Sequence, residues 1–111
     1  MRRDQLHEAL SGGYIDNYAW DLLQKSMTME VEVLDSGILS RYQITFEGVS
    51  RSTFEDEALS PWERLELTEL FVERAPEESG TEEWEIRMNF WDLASLAIRC
   101  KAVSIDGEAL R

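Results

Sequence analysis

The chain has 111 residues, of which 11 are basic and 23 acidic, giving a formal net charge of −12. The length suits one domain burying roughly two-thirds of the unfolded surface, and 43% hydrophobic with 10% aromatic residues argues for a globular chain over a disordered one. The charge argues against nucleic-acid binding, which uses Lys and Arg at the phosphates, and disfavours adhesion to anionic membranes.

The first predicted element runs from Asp4 to Leu10, with Leu6 and Leu10 one helical turn apart and Ser11-Gly12-Gly13 as a helix stop. From Tyr14 to Lys25, residues Ile15, Tyr18, Ala19, Leu22 and Leu23 follow helical spacing, which predicts a second helix, while Tyr14, Tyr18 and Trp20 would also suit a strand. The pattern then changes to period two. Met27, Met29, Val31 and Val33 alternate with polar residues, as do Tyr42, Ile44 and Phe46, and each run reads as a half-buried strand. The Leu34-Asp35-Ser36-Gly37 stretch between them predicts a hairpin. Sharing one apolar face favours pairing Met29 with Tyr42 and Glu30 with Arg41.

A third strand is expected around Phe54, over Arg51 to Glu55. Ser60-Pro61-Trp62-Glu63 has the form of a helix start, with a cap residue and a proline at the first position. Leu65 to Glu73 alternates at Leu65 and Leu67 and then changes phase to Leu70 and Val72, which predicts a bulged strand after one helical turn. Ala75 to Glu83 reads as a long acidic loop. Trp84, Ile86, Met88 and Phe90 define a clear strand, followed by a turn near Trp91-Asp92. Leu96, Ile98 and Cys100 form the inward face of the last strand, which shifts phase to Val103 and Ile105 and stops at Asp106-Gly107. The expected fold is therefore a single α+β domain over residues 1–111, dominated by strands. About six antiparallel strands would follow one or two short N-terminal helices, as a meander, a sandwich or a partly open barrel.

Candidate chemistry is sparse. His7 on a short terminal helix reads as a surface residue. Cys100, the one cysteine, alternates with core residues and reads as an inert buried thiol, and a single cysteine forms no intrachain disulfide. One Cys and one His cannot supply a structural zinc site, and no phosphate-binding or nucleophile motif occurs. No catalytic residue, metal site or cofactor is expected. Met1-Arg2-Arg3 is followed by polar residues, so no signal peptide is expected and a cytoplasmic location is.

Charge is uneven along the chain. Residues 55–85 hold twelve acids against Arg64 and Arg74, a net of −10, and the remainder carries −2. That span reads either as a solvated face or as a docking surface for a basic protein partner. The candidate contacts are Glu77, Glu78, Glu82 and Glu83, with Trp62 and Trp91 as flanking aromatics. Exposed tryptophans also leave a homodimer open.

The run Met27–Val33, the stretch Tyr42-Gln-Ile-Thr-Phe-Glu-Gly-Val49, the strand Trp84–Phe90 and the final Leu96–Ile105 run together resemble the YxiG-like family of small bacterial proteins. The resemblance implies a non-enzymatic accessory or immunity-type role and transfers no catalytic residue. Two functional expectations follow. One is a non-catalytic protein-binding module using the acidic span. The other is a domain binding a small molecule or divalent metal, with or without enzymatic activity.

Overall fold

The computed structural model describes residues 1–75 and 82–111. In chain order these form α1 (Arg3–Leu10), β1 (Tyr14–Asp21), β2 (Ser26–Asp35), β3 (Ile38–Glu47), β4 (Arg51–Asp56), β5 (Leu65–Glu66), β6 (Glu69–Arg74), β7 (Trp84–Phe90), β8 (Ala94–Cys100), β9 (Ala102–Ile105) and β10 (Glu108–Ala109). The strands make two antiparallel sheets and not a closed barrel. One has the order β10-β9-β3-β2-β1-β5 and the other β4-β8-β7-β6. The strand-dominated α+β expectation holds, with one helix and more, shorter strands than the sequence pattern suggested.

Tyr14 to Asp21 is a strand, not the expected helix. It pairs with β2, setting Ile15 against Val31, Tyr18 against Met29 and Trp20 against Met27, and its register slips between Ile15 and Asn17. That slip is a bulge at Asp16, and it keeps Ile15 and Tyr18 on one face three residues apart. A bulged strand thus reproduces the spacing of a helix turn.

The hairpin of β2 and β3 forms, but its register differs by two residues from the expected one. Met29 faces Ile44, Val31 faces Tyr42 and Glu32 faces Arg41. The turn is only Ser36-Gly37, both at positive φ (51° and 82°), which gives the twist a two-residue hairpin needs. An even shift leaves every side chain on its face, so the unlike-charge pairing on the wet side survives with another partner. Arg41 Nη2 lies 2.6 Å from Glu32 Oε1.

No helix starts at Ser60. The indole Nε1 of Trp62 instead donates to Asp56 Oδ2 at 3.0 Å, folding the segment back onto the end of β4. The phase change after Leu67 is not a bulge either. Leu65 pairs with Ile15 in the first sheet, whereas Leu70 pairs with Met88 in the second, so the chain changes sheets there. Fully buried Leu67 sits at the crossing. Its N–H donates to the Gly13 carbonyl at 2.8 Å, and the Thr68 N–H donates to the Asn89 carbonyl at 2.9 Å.

The second phase change has the same cause. β8 pairs with β4 and β7, and one residue later β9 pairs with β3. The β3–β9 ladder therefore continues as the β4–β8 ladder around a bend, with the Lys101 N–H donating to the Glu47 carbonyl at 3.0 Å. Gly48 sits at this bend with φ +63°, tight against the Lys101 side chain. The core between the sheets takes Met29, Val31, Ile44 and Phe46 from the first and Ile86, Met88, Phe90, Leu96 and Ile98 from the second.

Helix α1 adds Leu6 and Leu10 to that core and packs against β2 and β6. It begins where Gln5 Oε1 accepts the Arg2 N–H at 2.8 Å, and it ends at Gly12, which has φ +76°. The chain then passes close over β2. A methyl group at Gly13 would lie 2.5 Å from Val31 Cγ1 and 3.0 Å from the Leu10 carbonyl oxygen. Gly13→Ala is therefore expected to cost about 1–3 kcal/mol through overpacking, read as a lower urea midpoint at unchanged m-value. A midpoint equal to wild type would show that the close approach carries no constraint.

Candidate functional site

Two strands leave part of the core-facing side uncovered. Tyr18 stands opposite Met29 on the inward face of the first sheet, yet Met29 is 1% exposed and Tyr18 50%. Trp20, opposite Met27, is likewise exposed. On the second sheet, β4 pairs among the described residues with β8 alone, and all six of its residues are exposed. Phe54 faces Leu96 across that ladder and is itself 51% exposed.

Between these strands lies a cleft of about 250 Å³. Ile15, Tyr18, Met29 and Leu65 form its wall on the first sheet, and Phe54, Phe90 and Leu96 its wall on the second. Six of these seven side chains are apolar hydrocarbon or thioether and the seventh is a tyrosine, so the cleft offers dispersion and aromatic contact rather than acid–base chemistry. Its volume is below the ~300–1,000 Å³ of ordinary ligand pockets, and it suits one large side chain.

The segments that supply Ile15, Tyr18, Phe54 and Leu65 to the cleft are acidic. Residues 14–21 and 51–66 together hold Asp16, Asp21, Glu55, Asp56, Glu57, Glu63 and Glu66 against Arg51 and Arg64, a net of −5. Of the two bases, Arg64 lies over the Tyr14 ring at 5.0 Å. Asp56 is locally engaged, accepting the Ala58 N–H at 2.8 Å as well as the Trp62 indole. Glu55, Glu57 and Glu63 are exposed.

The sequence-predicted contacts that lie among the described residues fall in two places. Trp62 is half-buried beside Asp56, and Trp91 is 60% exposed in the β7–β8 turn, so both lie toward the Asp56 end of β4. Glu82 and Glu83 lie toward the other end. Glu82 approaches Arg74 at 3.7 Å, and Glu83 accepts the Ser50 hydroxyl at 2.6 Å. Glu77 and Glu78 lie outside the described residues. Glu85, on the outer face of the second sheet, is met by Arg87 at 3.2 Å and Arg99 at 3.6 Å, so arginines offset charge there. Glu55 and Glu57 also lie on that outer side, beside Asn89, Asp92 and Ser95.

Sequence spacing sets Tyr18 beside Ile15 on a helical face, whereas the Asp16 bulge sets both on the inward face of a strand, together with Trp20. Phe54 was legible as a strand residue, but its exposure depends on what covers it.

His7 is exposed, with Ser11 Oγ 3.3 Å from its Nδ1. Among the described residues no group of three or more His, Cys, Asp or Glu converges as metal ligands would, and no helix is long and apolar enough to cross a membrane. No protein-family model matches the chain, and no curated protein matches its sequence.

Cys100 is fully buried on β8. Burial, reinforced by the Glu83 carboxylate and opposed by a hydrogen bond from the Ala102 backbone, pushes its thiol from the usual 9.0 up to about 12. Native protein at pH 8 is therefore expected to react with a disulfide reagent far more slowly than unfolded protein. Between pH 9.0 and about 12 the unfolded chain loses a thiol proton that the folded chain keeps, so this group's stabilising contribution declines as pH rises. Cys100→Ala should flatten the alkaline loss of stability in urea titrations across that window. An unchanged slope would overturn the assignment.

Proposed function

We propose that this chain is a small, non-catalytic cytoplasmic binding module of immunity or accessory type, engaging a basic protein partner through the acidic surface of residues 55–85. The observation that carries the reading is an apolar cleft whose wall residue Phe54 is followed directly in the chain by a run of exposed acids. Glu55, Glu57 and Glu63 are exposed in that segment, Glu55 and Glu57 on the outer side of β4 from Phe54, and Asp56 ends the strand. Partly exposed aromatics bordered by charge supply what a protein contact uses, an apolar anchor inside a polar rim. The acidic segment selects the sign of the partner and speeds encounter at low ionic strength. The resemblance to the YxiG-like family accords with this role.

A second reading is supported by the cleft alone, namely capture of a small apolar molecule. The two readings separate in a thermal-shift screen of metabolites and divalent metals. A reproducible upward shift that Phe54→Ala removes would favour the small ligand.

The protein-binding reading predicts the behaviour of the triple variant Glu55→Lys, Glu57→Lys, Glu63→Lys, which alters exposed side chains only. Immobilised wild type should retain a basic protein from the native host at low salt and release it as ionic strength rises. The variant, with an unchanged circular dichroism spectrum, should retain at least about tenfold less. Equal retention by the two proteins would rule the reading out.

A further inference from the structure

We infer that the partner segment is taken up as an added β-strand on the free edge of β4, and that it is an extended basic peptide with one large apolar side chain seated in the cleft. This rests on the binding reading above and specifies its occupant.

Backbone geometry supplies the first part. The Glu57 N–H donates to the Leu93 carbonyl at 2.8 Å, which fixes the alternation along the β4–β8 ladder. Arg51, Thr53 and Glu55 turn their backbone groups toward β8, and Ser52, Phe54 and Asp56 turn theirs toward the open edge, because hydrogen-bonding direction alternates along an antiparallel pair. The pairing with β8 runs without a slip from Arg51 to Asp56, and the strand contains no proline or lysine. A bulge, a proline and a lysine are among the usual ways of blunting an edge. The edge-facing residues are also those on the side of Phe54, so a strand laid there would place alternate side chains over the cleft.

Charge supplies the second part. A residue opposite Phe54 would reach the apolar cleft. The next two residues on one side would fall opposite Glu55 and Asp56, where cross-strand pairing favours Lys or Arg. A second copy of this chain would instead bring another net −12 toward the same acidic segment and is disfavoured by that repulsion.

The test uses the whole chain and a labelled peptide, Thr-Lys-Lys-Phe-Lys-Lys-Thr, which reads the same in either direction, with binding followed by fluorescence anisotropy. The expected result is saturable binding that weakens at least about tenfold when lysines become glutamates. Two peptides N-methylated on alternate residues should behave oppositely, one losing binding and the other keeping it, since only every second amide faces β4. Ser52→Pro removes an edge-facing N–H outside the β8 ladder, and it should weaken binding about tenfold with little change in melting temperature. If the lysine peptide binds but both methylated forms and Ser52→Pro bind equally well, strand addition is overturned while the acidic-surface reading stands. Equal binding of the glutamate peptide overturns that reading itself. No binding at millimolar peptide overturns strand addition, as does a dimer in sedimentation that Ser52→Pro dissociates.

Discussion

Everything in this fold depends on how a strand can leave one sheet and enter the other while still feeding the same core. Side chains alternate faces along a strand, so each crossing must leave the apolar set facing the core in the new layer. At two crossings the chain does this with a one-residue change of phase. Leu65 and Leu67 give way to Leu70 and Val72, and Ile98 and Cys100 give way to Val103 and Ile105. At the bend beside Gly48, β3 and β9 cross together, held by the contact between Glu47 and Lys101. The two layers are one folded ladder system as much as two packed sheets.

The same constraint explains what the sequence could disclose. Strands β7 and β8 were legible residue by residue, because each is inward-facing at every second position and flanked by polar neighbours. The phase changes were visible too, but alternation alone cannot tell a bulge within a sheet from a change of sheet; that distinction lies in the pairing partners. The error at β1 was of the opposite kind. There a true bulge at Asp16 made a strand resemble a helix. The hairpin register was off by an even number because face matching restricts parity, and only the length of the Ser36-Gly37 turn selects among even shifts. The cleft was not legible at all, since Tyr18 and Phe54 are far apart in sequence and their exposure depends on how far one sheet covers the other.

The acidic composition acquires a location from the fold. On the outer face of the second sheet, Glu85 is answered by Arg87 and Arg99, and exposed Glu55 and Glu57 lie on the same side. Residues 51–66 hold five acids against Arg51 and Arg64. An unpaired strand edge beside exposed aromatics is a hazard for self-association. Like charge around that edge counters the hazard between identical chains and attracts a partner of opposite sign. One electrostatic feature thus serves both solubility and selectivity.

The bent ladder also determines where the chain's conformational entropy is spent. The pairings β1–β2, β2–β3 and β7–β8 join neighbours through short turns, which close cheaply. Ile44 and Ile105 meet across about 60 residues, and closing a loop of that length costs more than any hairpin. The seam at Gly48 and Lys101 is therefore where local order becomes global order. Closing that seam joins the β1–β2–β3 meander to the β6–β7–β8 meander.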